Sequence, residues 1–307
     1  MIPAGKDTPR GADDIAGRIQ GLDTWPTGEI LEALWTSQSR AMAACRSAMP
    51  ALHRAIEGSA ARLASGTGRL VYAGAGSAGM LAAVDALELG GTYNWPEDRL
   101  AIYLAGGLDF RREPDAAVED DSAGARAQVR EARLGPADVV VGVSASGASA
   151  YTVAIVEEAR SAGAMTVAVA GQADSPLARA ADHPVVVATG AEVILGSTRL
   201  AAGTAQKLVL NLFSTAVMVR LGAVYDNFMI DLRPMNTKLR QRQAAIVASI
   251  AEVELAVAVD ALARHGDAKR AVLGLAGLLD PEIEAALTSA GGNLRVALQR
   301  TRGRREP

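Results

Sequence analysis

Cysteine is almost missing from this 307-residue chain, with Cys45 as its single instance. One thiol cannot form an intrachain disulfide or build a thiolate metal site, so both are excluded. The three histidines, His53, His183 and His265, stand in separate segments and form no metal site either. Aromatic residues make up only 4% of the chain, which speaks for tight backbone packing and against an aromatic binding surface. Neither sign of charge prevails: 31 basic and 34 acidic residues leave a net charge of −3. That balance gives no reason to expect nucleic acid or an anionic membrane as partner. No apolar run reaches the roughly 18 to 20 residues of a membrane helix, and "MIPAGKDTPRGADD" lacks the apolar centre of a signal peptide. A soluble cytoplasmic protein is the expectation. With half its residues hydrophobic, the chain is too apolar to stay disordered and long enough to bury a large core.

What is present is alternation. Residues 1 to about 22 read as a polar arm. From Trp25 to Ala64 apolar residues recur at Ile30, Leu31, Leu34, Met42, Met49, Leu52, Ile56 and Leu63, a helical spacing that Pro50 interrupts. Strands are then expected near 69–73, 100–105, 138–143, 165–170 and 184–188, with helices near 78–88, 123–132, 149–161, 175–180 and 200–221. Strands alternating with helices predict an α/β fold, a doubly wound parallel sheet flanked by helices. After Asp231 a linker helix and three or four short helices follow, punctuated by Gly266, Asp280-Pro281 and Gly291-Gly292. The expected division is an N-terminal arm and helical segment over 1–64, the α/β domain over 65–232, and a linker helix with a small C-terminal helical module over 233–307.

Two strand-to-helix turns carry the chemistry. The first is Gly74-x-Gly76-x-x-Gly79 in "VYAGAGSAGM"; the second is "SASGAS", residues 144–149. Neither contains Lys or Arg. The N-terminus of a helix presents unpaired amides and about half a positive charge, and glycines with serine hydroxyls complete a cradle for a phosphate without any cationic side chain. A triphosphate loop would need Gly-Lys-[Ser/Thr], so a phosphate monoester on a small ligand fits better. The glycine string also matches a dinucleotide loop literally, but the acidic residue expected at the end of the next strand is missing from "YLAGG", and Asp109 comes late.

"GRLVYAGAGSAGMLAAVDALE", "DVVVGVSASG" and "GAEVILGSTRLAAGTAQKLVLNLFSTAVMVRLGAVYDNFMIDLRPMNTKLRQR" resemble the N-acetylmuramic acid 6-phosphate etherases of the sugar isomerase (SIS) superfamily. The resemblance runs from about Leu22 to the C-terminal module, and Gly190 to Asn211 is its most specific stretch. It implies a SIS-type α/β sandwich, a homodimer with its site near the subunit interface, a sugar phosphate as ligand, and no metal or cofactor. The implied reaction removes the C2 proton of the open-chain sugar phosphate and expels D-lactate from C3. Water then adds to leave N-acetylglucosamine 6-phosphate. Two carboxyl groups in opposite protonation states suit this chemistry. An aldose–ketose isomerase and a non-catalytic sugar-phosphate-binding regulator are the alternatives on the same scaffold.

By the same resemblance Glu88, in "DALE", stands for the acid that protonates the leaving lactate. The base falls on Glu119 by an ungapped count and on Asp120 if the Asp-Ser pair is aligned; an acidic cap of the following helix accounts for the others. Phosphate binding falls to Ser77, Ser146 and Ser149 with amides around Ala78, Gly79 and Gly147. Ser197, Thr198 and Arg199 are further sugar or phosphate contacts, and Lys207, eight residues and about two helical turns past Arg199, is expected on the same face. Asn236 orients a ligand or caps the linker helix. The family pattern Gly-Thr-Ser-Gly-Arg is here "GSAGM" and Ser-Gly-Arg-Thr-Pro is "SGASA", so Met80 and Ala148 replace two arginines. "LGGT" after Glu88 loosens the backbone there. If the first helix starts near Ala78, Glu88 lies about 15 Å along its axis, beyond the reach of a hexose phosphate. Either that helix is short, or the site joins the turns of one subunit to Glu88 of another.

Overall fold

The computed structural model describes residues 19–109 and 116–303. The first eighteen residues of the expected arm and the last four of the basic tail lie outside the described residues. The chain forms two compact units. One takes the described residues up to Ala86 with Leu100–Phe213; the other takes Leu87–Arg99 and the residues from Ser214 onward.

The first unit is built on β1 (Leu70–Gly74), β2 (Leu100–Leu104), β3 (Val139–Ser144), β4 (Met165–Ala170) and β5 (His183–Val186). Their order is β2-β1-β3-β4-β5 and every pairing is parallel. The three central strands are buried at every residue, which is why they read as unbroken runs of apolar and small residues. The order reverses between β1 and β3, whose carboxyl ends carry the two serine–glycine turns. In open α/β sheets that crevice is where ligands bind.

Chain order supplies helices α1 (Thr27–Ala44), α2 (Met49–Leu63), α3 (Gly76–Tyr93), α4 (Ser122–Glu131), α5 (Ala150–Ser161), α6 (Pro176–Ala180) and α7 (Ala201–Arg220). Alternation along the strands sends Val71, Ala73 and Val140 to one face, against Ala125 and Val129 of α4 and Tyr151 and Ile155 of α5. Tyr72 points the other way. Its hydroxyl donates to Asp85 Oδ2 on α3 at 2.8 Å, and Asn211 Nδ2 of α7 donates to Asp85 Oδ1 at 2.6 Å. On that same face a methyl group at Gly58 of α2 would stand 2.7 Å from Met165 Cε. Helices therefore cover both faces, as the alternation predicts.

Pro50 lies in the first turn of α2, after a single 3-10 turn over Cys45–Ala48, so the expected interruption falls just ahead of it. The helix expected over 78–88 is longer. It starts at Gly76 and runs through Gly90 and Gly91 to Tyr93. It ends where Asn94 turns left-handed at φ 51° and Trp95 N–H bonds back to Leu89 O at 3.3 Å, a Schellman-like stop. The short-helix alternative is thereby ruled out, and the Gly-Gly pair continues the helix.

In the second unit a hairpin that the sequence did not disclose, β6 (Val224–Tyr225) with β7 (Phe228–Met229), precedes α8 (Thr237–Ala251), α9 (Leu255–His265), α10 (Ala268–Leu275), α11 (Asp280–Ser289) and α12 (Leu294–Gly303). Ile230, Val247, Ala258, Ala271, Leu273 and Ile283 are among its core residues. Asn236 is the N-cap of α8, accepting from Leu239 N–H at 2.9 Å, which decides between its two expected roles. No helix among the described residues is long and apolar enough to cross a membrane.

Candidate functional site

The first turn joins β1 to α3 through a single residue, Ala75. A methyl group at Gly74 would stand 2.6 Å from Gly79 Cα, and one at Gly79 2.4 Å from Leu104 Cδ1. These two glycines therefore permit the close approach of strand and helix. Gly76 is left-handed at φ 53°, and a methyl group there would lie 2.8 Å from Glu119 Oε1. The Glu119 carboxylate, on a 3-10 turn over Ala116–Asp120, thus rests against the first residue of α3. Ser77 is exposed beside it, whereas Ala78 is buried. The Gly79 N–H is engaged with Ala75 O at 3.0 Å.

The second turn joins β3 to α5 and is braced by its own serines. Ser144 Oγ accepts from Gly147 N–H at 3.1 Å, and Ser146 Oγ from Ala148 N–H at 3.2 Å. Ser149 is the N-cap of α5, accepting from Thr152 N–H at 3.4 Å with its hydroxyl 3.1 Å from Thr152 Oγ1. Gly147 is left-handed at φ 69° and a methyl group there would collide with Ser175 Oγ at 2.2 Å. The Gly147 amide, expected to face a phosphate, is thus spent on Ser144. Ser146 is exposed and Ser149 half-buried, so the hydroxyls are the part of this turn nearest solvent.

A third element escaped the sequence reading. Glu192 is 3% exposed, and its two oxygens accept from Ala201 and Ala202 N–H, both at 2.9 Å. A buried carboxylate therefore fills the anion-favouring tip of α7 from within the chain. It also fixes where α7 begins, which leaves Arg199 outside the helix; the shared face of Arg199 and Lys207 does not exist. Ser197, Thr198 and Arg199 lie on the loop that Glu192 closes, with Arg199 exposed and Lys207 half-buried. An acidic residue inside the apolar "AEVIL" was the available signal for Glu192.

The acidic stretch separates by role. Asp121 caps α4 through Gly124 N–H at 2.8 Å, as expected for one of the three, and Glu119 and Asp120 are both exposed. Glu119 reaches the first turn at Gly76. Glu88 is exposed on α3, twelve residues beyond Gly76, and belongs to the second unit.

Comparison with known proteins identifies the family. Residues 117–216 match the SIS domain. The chain is 39% identical over 292 residues to the N-acetylmuramic acid 6-phosphate etherase of Deinococcus radiodurans, covering 94% of this chain and 95% of the relative. It is 43% identical over 281 residues to that of Streptomyces coelicolor, with 90% and 89% covered. The chain belongs to the N-acetylmuramic acid 6-phosphate etherase family. Within this etherase scaffold Met80 is 39% exposed and Ala148 is exposed, so neither turn gains a cation from the position where the resemblance led one to expect arginine.

Proposed function

We propose that this chain cleaves the lactyl ether of N-acetylmuramic acid 6-phosphate, a carbon–oxygen lyase reaction that yields N-acetylglucosamine 6-phosphate and D-lactate. Glu119 acts as the base that removes the C2 proton, which the C1 aldehyde of the open-chain sugar acidifies. Glu88 acts as the acid that protonates the departing lactate oxygen at C3. Water then adds at C3. The observation that carries this reading is the Glu119 carboxylate seated on Gly76, at the tip of a helix whose turn is built for an anion-bearing ligand. Contact with Gly76 is made by Glu119, which favours it over Asp120 as the base.

Ser77, Ser146 and Ser149 bind the phosphate as hydroxyl donors at the α3 and α5 tips; Ser197, Thr198, Arg199 and Lys207 serve as further sugar or phosphate contacts. The length of α3 bears on assembly. Twelve residues separate Gly76 from Glu88, about 18 Å along the axis, farther than a hexose phosphate spans. Glu88 therefore serves the turns of a second copy, and the working unit is a homodimer. Leu31, Trp35 and Met42 of α1, exposed by 62%, 71% and 55%, offer an apolar face for that copy.

The test is incubation with N-acetylmuramic acid 6-phosphate, glucosamine 6-phosphate and fructose 6-phosphate in deuterated water. Lactate release with deuterium at C2 is the expected result. Deuterium exchange without lactate identifies an isomerase-like activity instead, and binding without either identifies a regulator.

A further inference from the structure

Gln206, in the second turn of α7, is 5% exposed, and its amide nitrogen has no hydrogen-bond partner among the described residues. It borders a cavity of about 10 Å³ at the carboxyl ends of β3 and β4, walled by Ala145, Ala170, Gly171, Val187 and Ala205. Those side chains offer no polar atom. Two of these residues carry main-chain carbonyls that each accept one bond: Ala145 O from Gly171 N–H at 3.1 Å and Ala170 O from Val187 N–H at 2.9 Å. Each of these oxygens keeps a second lone pair.

A buried amide left without an acceptor is costly, and a leucine or methionine would fill the same space at no such cost. The cavity has room for about one water molecule. It is too small for a sugar substituent, and no charged side chain borders it to hold an ion.

We propose that a single water molecule is bound in this cavity. It accepts from Gln206 Nε2 and donates to the carbonyls of Ala145 and Ala170, three partners, the usual number for a buried water. Ala145 is the first residue beyond β3 and opens the second serine turn, so the water ties α7 to the base of that turn. Its presence does not depend on the proposed reaction; its effect on affinity rests on the assignment of the phosphate to Ser146 and Ser149.

High-resolution crystal structures of the wild-type protein and of Gln206→Met test the idea. One isolated density peak about 3 Å from Gln206 Nε2 is expected in the wild type, retained in a complex with N-acetylglucosamine 6-phosphate and lost in Gln206→Met. Calorimetric affinity for that sugar phosphate should fall about three- to tenfold in Gln206→Met, with the melting temperature unchanged or raised. A dry cavity, an amide paired to a protein atom, or a sugar oxygen in place of the water overturns the proposal. Unchanged affinity in Gln206→Met overturns the tie to the turn. Failure of the lactate assay would refute the proposed reaction and leave the water untouched.

Discussion

Glu119 Oε1 and Gly76 are so close that the glycine has no room for a side chain, with 2.8 Å between the oxygen and the site of a methyl group. Gly76→Ala should therefore do two things. It strains a left-handed residue by about 1–2 kcal/mol, and it displaces the Glu119 carboxylate. Gly66, at φ 82° with nothing within 4 Å of an added methyl group, isolates the first effect. Gly66→Ala and Gly76→Ala should lose comparable stability in urea titrations, whereas only Gly76→Ala should lose about 100-fold or more in kcat.

Asp85 is a buried carboxylate, 1% exposed, that holds β1, α3 and α7 together through Tyr72 and Asn211. Removing one donor leaves part of a desolvated charge unmet. Tyr72→Phe and Asn211→Ala should each lower stability by about 1–3 kcal/mol, read from denaturant midpoints. A double variant whose loss falls short of the sum would show that both act through the one carboxylate.

The opposite end of the sheet supplies a pH-dependent lock. Burial alone would raise the Asp138 carboxyl, but the Arg69 guanidinium and the amides of Arg69 and Gly135 overcome it and hold it below its usual range. A depressed carboxylate stabilises the fold above its unfolded-state pKa, and that contribution disappears as pH falls through the native value. Asp138→Asn should cost about 3–5 kcal/mol at neutral pH, and the gap between variant and wild type should begin to narrow below about pH 4 and close once pH falls below the depressed native value. Activity per folded molecule should not change, because the lock lies away from both turns.

Glu192 closes the loop that carries Ser197, Thr198 and Arg199 onto the tip of α7. Glu192→Ala should cost about 1–2 kcal/mol as the loss of a helix cap, and the freed loop should raise KM for the sugar phosphate with a smaller change in kcat. Steady-state kinetics beside thermal melts separate the two effects.

The readable parts of the sequence were those in which one residue type has one meaning. "VVVGVS" and "MTVAVA" form central strands because only a strand buried on both faces tolerates such runs. The serine turns fall at the carboxyl ends of β1 and β3 because strand and helix periodicities meet there. Gly90-Gly91 misled because glycine's weak helix propensity is overridden when packing holds the helix: a methyl group at Gly91 would lie 3.6 Å from Met235 Cε, a neighbour 144 positions away in the chain. The β6–β7 hairpin pairs only two residues on each strand, too few to leave a period. Glu192 stood out only as an acid inside "AEVIL", with main-chain amides as its partners, and Gln206 was opaque because small apolar residues surround it and carry no polar pattern to align with.

The central claim is that Glu119 of one copy and Glu88 of another act on one sugar. It is tested most directly by measuring D-lactate release from N-acetylmuramic acid 6-phosphate by Glu88→Gln, by Glu119→Gln, and by the two refolded together. Each variant alone should be nearly inactive. An equal mixture should recover about one quarter of wild-type activity, since half of the dimers then hold one intact site of two. A mixture no more active than its components, or a single variant that keeps wild-type rates, would contradict the account.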